Sequence, residues 1–151
     1  CWHIRPPVIQ TSRPDLDPLI SEWAKVNKID LLLSIFFEYR IRPFLLDSAN
    51  IGGINLHPSV LPHNGGFHSS FWGLVNQTPL GATLMWMDEG LDTGGIIAQK
   101  IFTDNGVLNA NDVRTLQRQF CKELFEENID DLFNEGYIEK LEVGRYEIIK
   151  K

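Results

Sequence analysis

Residues 29–37 read IDLLLSIFF and residues 51–57 read IGGINLH. The first run is almost unbroken in apolar side chains and too short for a helix with a polar face, so it predicts a strand covered on both sides. The second has the same character. Around them the period changes. Asp17 before Pro18 supplies an acceptor side chain and a ring of fixed φ, the pairing that starts a helix. Leu19, Ile20, Trp23, Ala24 and Val26 then share one face, with the helix end expected near Asn27 or Lys28. A short helix is expected over 42–46, and a turn-rich loop over 58–70, where Ser69 or Ser70 caps a helix through Phe71, Trp72, Leu74 and Val75. Strands over 81–88 and 95–102 are joined by EGLDTG. A long amphipathic helix over 109–134 turns Val113, Leu116, Phe120, Leu124 and Phe125 inward and stops at Gly136. Val8 and Ile9 suggest an extended arm at the start, and the tail from Tyr137 can add a strand pair. Buried strands alternating with helices predict an α/β fold with a mostly parallel sheet flanked by helices.

Composition narrows the class. With 151 residues, 43% hydrophobic and 23% charged, one domain over 1–151 is expected, with a core sufficient without metal or disulfide. Cys1 and Cys121 have neither CxxC spacing nor a His cluster beside them, so no metal site is indicated and a reduced, cytoplasmic setting is expected. The net charge of -6 argues against a surface for nucleic-acid phosphates and favours small-molecule partners. No apolar run approaches the ~20 residues that span a bilayer, and the first residues lack a signal-peptide layout, so no membrane partner is expected. The chain begins at Cys1 rather than Met, as a processed chain or an excerpt of a longer one would.

In open parallel sheets ligands bind beyond the carboxyl ends of the strands, which selects residues 36–40, 57–66 and 88–94 as loops around one cleft. Asn55 and His57 are one residue apart in a strand, so their side chains share a face. The amide can donate to a developing oxyanion, and the imidazolium can do the same or pass a proton to a leaving group. Asp92, in a Gly-bounded turn, can reach the same cleft and would favour the charged form of His57. The three make an acyl-transfer apparatus with no covalent nucleophile, in which the substrate's own amine attacks. A His after a strand and an Asp before Thr-Gly are also ordinary turn residues, so spacing alone leaves the structural alternative open.

Read whole, INLHPSVLPHNGG and FWGLVNQTPLGATLMWMDEGLDTGGIIAQK resemble the core of the folate-dependent formyltransferases, which include glycinamide ribonucleotide, methionyl-tRNA and nucleotide-sugar amine formyltransferases. The resemblance covers about residues 29–102 and implies a Rossmann-like fold. It implies transfer of a formyl group from 10-formyltetrahydrofolate to a primary amine, with Asn55, His57 and Asp92 as the reacting residues. The folate's pteridine is then expected against Phe36, Phe37, Arg40 and Ile41 and against Met87, Asp88 and Leu91, and the amine against Gly66 and His68. Met85 stands where many relatives have His, and Ser69 where Pro is common. The family's opening strand, helix and further strand have no counterpart here, which points to a truncated chain or a compact variant. Among acceptors the pattern is most similar to that of the nucleotide-linked amino sugars, with glycinamide ribonucleotide or methionyl-tRNA as alternatives. A 10-formyltetrahydrofolate hydrolase and an inactive folate-binding scaffold are the other readings. A homodimer is compatible with the sequence, which leaves open whether Lys100 or Arg114 touches substrate.

Overall fold

The computed structural model describes residues 17–37, 39–104, 106–133, 138–140 and 146–148. In chain order these form α1 (Asp17–Val26), β1 (Leu31–Ile35), α2 (Pro43–Leu46), β2 (Gly52–His57), α3 (Ser69–Asn76), β3 (Leu80–Trp86), β4 (Ile96–Phe102) and α4 (Ala110–Phe133). Two short strands, β5 (Ile138–Lys140) and β6 (Tyr146–Ile148), then pair antiparallel with each other. The expected arm at Val8 and Ile9 and the stop at Gly136 lie outside the described residues.

The main sheet has the order β1-β2-β3-β4. Only β1 and β2 run parallel; β3 is antiparallel to both β2 and β4. The expectation of a mostly parallel sheet is therefore wrong, and the fold is α/β with a mixed, mostly antiparallel sheet. Between β3 and β4 lie only residues 87–95, with no helix, whereas a parallel return needs a crossover of about a dozen residues or more. Burial on both faces, read from residues 29–37 and 51–57, had suggested parallel strands; those two runs do pair in parallel, although Leu33 and Ile35 of β1 are exposed, and double-faced burial is no sign of strand direction. In β3, buried along its whole length, it comes instead from what covers the strand. Residues of α4 pack on it, and the loop after β2 is tied to it where the Leu61 N–H donates to Thr83 Oγ1 and that hydroxyl donates to the Ser59 carbonyl.

The core is a seam between the sheet and α4. Ile54 and Leu56 of β2 and Ala82, Leu84 and Trp86 of β3 meet Cys121, Leu124 and Leu132 of α4. Burial pushes the Cys121 thiol up to about 12, so it packs as a small protonated side chain. Val113 is also fully buried, and Phe120 and Phe125 are partly so, as the helical periodicity of the sequence requires. Asn109 starts α4 by accepting from the N–H groups of Asn111 and Asp112, while Asp112 accepts from Asn109 N–H. That reciprocal cap satisfies donors the helix leaves open.

The serines that open α3 behave differently from the expected cap. His68 precedes the helix in a left-handed conformation with no side-chain cap. Ser69 Oγ donates instead to the Pro58 carbonyl (2.7 Å), and buried Ser70 donates to Gln117 Oε1 of α4 (2.5 Å). At the β4 edge of the sheet Lys100 donates to Glu123 (2.7 Å) and Glu127 (2.6 Å) of α4. Those bonds raise the pKa of Lys100, and the bond from Lys100 lowers that of Glu123. Lys100 is thus a clamp between strand and helix, and it does not line the cavity described below.

Close approach of β3 and β4 depends on Gly81, where an added Cβ would stand 1.9 Å from the Lys100 carbonyl oxygen. Backbone cannot yield as a side chain does, so Gly81→Ala should destabilise the fold by about 1–3 kcal/mol, the usual cost of overpacking. Urea unfolding of the two proteins measures the difference, and an unchanged midpoint would contradict the tight approach.

Candidate active site

β1 and β2 end side by side, and the cavity opens where their chains leave the sheet. It has a volume of about 510 Å³, and each residue singled out from the sequence lines it: Asn55, His57 and Asp92; Phe36, Phe37, Arg40 and Ile41; Met87, Asp88 and Leu91; Gly66 and His68. Its position differs from the strand-end rule in one respect. Because β3 is antiparallel to β2, with Trp86 opposite Ile54 and Thr83 opposite His57, the loop after β3 begins beside the start of β2. It then returns over the sheet face to bring Asp92 to His57.

Asn55 and His57 project from the same face of β2, as alternation in a strand requires. The His57 ring is buried, with Nδ1 3.6 Å from Asp92 Oδ1, both side chains being less than a tenth exposed. That is ion-pair distance rather than a tight hydrogen bond. On its other side Nε2 lies 3.4 Å from the Asn64 carbonyl. The second Asp92 oxygen accepts from Gly66 N–H at 2.7 Å. One carboxylate therefore holds both the imidazole and the glycine loop that follows β2. Asn64 is fixed in turn by donating to Thr78 Oγ1 (2.5 Å). Among the described residues nothing hydrogen-bonds the Asn55 amide, so its donors are available to a ligand.

The loops are held in uncommon backbone conformations. Phe36, His68 and Asp92, all lining the cavity, have φ of 51°, 59° and 55°. Left-handed φ is uncommon outside glycine, least so for Asp and His, so the value at Phe36 stands out, and such conformations tend to cluster at functional sites. Gly66, at φ 80° with open space where a Cβ would stand, is required for its conformation rather than for room. Asp88 takes the turn-forming role that the sequence had left open for Asp92: its Oδ1 accepts from Gly90 N–H and from Thr93 Oγ1. Asp92 is thereby released to face His57. Arg40 donates to the Glu89 carbonyl and so joins the loop after β1 to the loop after β3.

Sequence reading named Met85 as a departure and left Arg114 open, but it missed Phe67, Phe71 and Arg118 as parts of the wall. Met85 lies opposite Asn55 across β2 and β3, so the departure from His makes that stretch of the cavity apolar. Phe67 and Phe71 add aromatic surface, and Arg114 and Arg118 reach in from α4. The arginines recur four residues apart in a helix whose buried positions were already assigned, and that i, i+4 spacing was the available signal.

Chemically, the site offers a neutral amide donor, an imidazole and a carboxylate around one point, with backbone and apolar side chains on either side. Such a set can stabilise an oxyanion and move a proton without a metal or a covalent intermediate.

A family model described as formyl transferase matches residues 11–125 of the chain. Methionyl-tRNA formyltransferase from Thermodesulfovibrio yellowstonii is 38% identical over 127 residues, which are 83% of this chain and 41% of that protein. Among solved structures, a 4-N formyltransferase from Francisella tularensis is similar with a TM-score of 0.71 at 29% identity, over 93% of this chain and 51% of that one. The formyltransferase PseJ from Anoxybacillus kamchatkensis, in complex with UDP-4,6-dideoxy-4-formamido-L-AltNAc and tetrahydrofolate, is similar with a TM-score of 0.66 at 28% identity. That match covers 82% of this chain and 61% of PseJ. The chain spans 27% to 41% of the methionyl-tRNA formyltransferases it matches. No helix among the described residues is long and apolar enough to cross a membrane.

Proposed function

The chain belongs to the folate-dependent formyltransferase family, and from that membership we propose that it forms the catalytic domain of an enzyme passing a formyl group from 10-formyltetrahydrofolate to a primary amine. The observation that carries the reading is the convergence of Asn55, His57 and Asp92 on one cavity, with His57 Nδ1 3.6 Å from the Asp92 carboxylate. In this reading the amine nitrogen attacks the formyl carbon and a C–N bond forms. The carbonyl oxygen takes up negative charge, and Asn55 and protonated His57 donate to it. Asp92 holds the imidazolium and takes the proton released by the attacking amine. The bond between the formyl carbon and the folate nitrogen then breaks, and the proton leaves on that nitrogen.

The folate fits the wall made by Phe36, Phe37, Arg40 and Ile41 and by Met87, Asp88 and Leu91, where backbone groups and the side chains of Phe36 and Leu91 suit a flat heterocycle with hydrogen-bonding edges. The amine comes from the side of Gly66 and His68. A nucleotide-linked amino sugar is the acceptor we favour, supported by the sequence pattern around residues 66–94 and by the likeness to PseJ, which was crystallised with a nucleotide-linked formamido sugar.

Formyl transfer to a panel of amino-sugar nucleotides, glycinamide ribonucleotide and methionyl-tRNA, with an amine-free control, tests the reading through release of tetrahydrofolate. Release that requires an amino-sugar nucleotide is expected. Release without amine would make the protein a hydrolase, and tight folate binding with no release would make it an inactive binder.

A further inference from the structure

Arg114 and Arg118 are one helical turn apart on α4, which places their backbones about 6 Å from each other on the same face. Both side chains are exposed and both line the cavity. Their neighbours Val113 and Gln117 are buried, and the Ser70–Gln117 bond fixes this turn of α4 against the start of α3. The arginines are thus presented from an anchored turn.

Among the described residues their charge is uncompensated. The chain carries 20 acidic residues against 14 basic ones, and Lys100 on the same layer is bonded to two carboxylates. No described carboxylate lies within ion-pair distance of Arg114 or Arg118. The Arg118 guanidinium sits 5.5 Å from the centre of the Phe36 ring. Stacking on an aromatic face occupies the guanidinium plane and leaves its in-plane N–H donors free. Those donors match the spacing of phosphate oxygens in the bidentate fashion that arginine favours.

The place of the pair within the cavity decides which substrate it serves. Arg40, Met87, Asp88 and Leu91 make one wall, and the acidic cavity side chains Asp88 and Asp92 belong to that loop. The turn of α4 that carries the arginines is tied by the Ser70–Gln117 bond to the start of α3, two residues after His68 on the side assigned above to the amine, and Arg118 reaches from there to Phe36 at the border with the folate side. Resting on the reading of the site as a formyltransferase, we propose that Arg114 and Arg118 bind the phosphate groups of the amine acceptor and so restrict the enzyme to phosphorylated amines.

The test compares Arg114→Ala, Arg118→Ala and the double variant with Lys122→Ala, which removes an exposed charge from the same helix. Each arginine removed should raise the KM for the phosphorylated acceptor about 10- to 100-fold, the range for hydrogen bonds to charged groups. The KM for 10-formyltetrahydrofolate should move less than about twofold. Arg118→Lys should recover only part of the loss, since an ammonium lacks the planar fork. Circular dichroism checks that each variant is folded. A rise in the folate KM instead would assign the pair to the folate's glutamate carboxylates and overturn the proposal, as would an equal effect of Lys122→Ala. Binding of inorganic pyrophosphate, followed by calorimetry on the whole chain, separates this inference from the reading it rests on. Binding lost in the double variant, in a protein that transfers formyl to no amine, keeps the phosphate site and rejects the transferase. Pyrophosphate bound equally by both proteins, or by neither, rejects the phosphate site.

Discussion

Asn55→Ala should lower the turnover of formyl transfer about 10²- to 10³-fold, the loss seen when one preorganised oxyanion donor is removed. The effect should fall on kcat rather than on the KM of either substrate, because the amide is needed most when charge has moved onto the carbonyl oxygen. The fold should hardly notice. Asn55 is only half-buried in β2, and its amide has no hydrogen bond to lose among the described residues. His57→Ala should cost as much, and the double variant little more than either single one, since groups acting on the same oxygen do not contribute independently. Asp92→Asn tests the third member: it keeps an acceptor for Gly66 N–H but removes the charge facing His57. Steady-state kinetics of the four proteins check the scheme, and full turnover in Asn55→Ala or His57→Ala would end it.

A different kind of loss is expected from Leu84→Ala. Leu84 is fully buried at the centre of the core shared by the sheet and α4, and it pairs with Leu56 across β2 and β3. Neighbours on both strands are fixed by ladder hydrogen bonds, so the space left behind cannot collapse. The cost should fall in the range of roughly 2–5 kcal/mol found for such truncations. Against a total stability of about 5–15 kcal/mol for a domain of this kind, the variant should show a markedly lower midpoint in denaturant. A shift equivalent to less than about 1 kcal/mol would mean that β3 is not packed between α4 and the loop after β2.

Legibility varied with the range of the interaction. Local signals placed α1, β1, β2 and α4 to within a few residues, because apolar periodicity and cap residues act over one or two turns. The start of the helix over 109–134 rested on apolar periodicity alone, and the reciprocal cap of Asn109 and Asp112 was an equally local signal left unused. Strand direction was not readable in the same way. Double-faced burial of 80–86 suits a parallel strand and an antiparallel one under a helix equally well, and the discriminating fact, a nine-residue helix-free connection, is a property of the loop. The serines that open α3 were misassigned for a related reason. A hydroxyl can cap its own helix or bond a distant partner, and the partners here are Pro58 and Gln117. Asn55, His57 and Asp92 came from strand alternation and turn position before any resemblance, the expected folate and amine contacts came from the resemblance, and Arg118, unlike Arg114, became visible only once α4 was seen to lie beside α3.

The buried bond between Ser70 and Gln117 has a bearing on assembly as well as on packing. Apolar surfaces slide over one another at little cost, so a helix lying on a sheet has several nearly equivalent seats. A side-chain amide enclosed at 1% exposure can be satisfied in only one of them, and any other seat leaves a polar group stranded at about 1–3 kcal/mol. The pair acts as a key that admits a single registration of α4 on α3. Displaced by a turn, the helix would carry its two arginines about 5 Å along the cavity wall, so one neutral contact outside the reacting set bears on the distance between the charged wall and the point of chemistry.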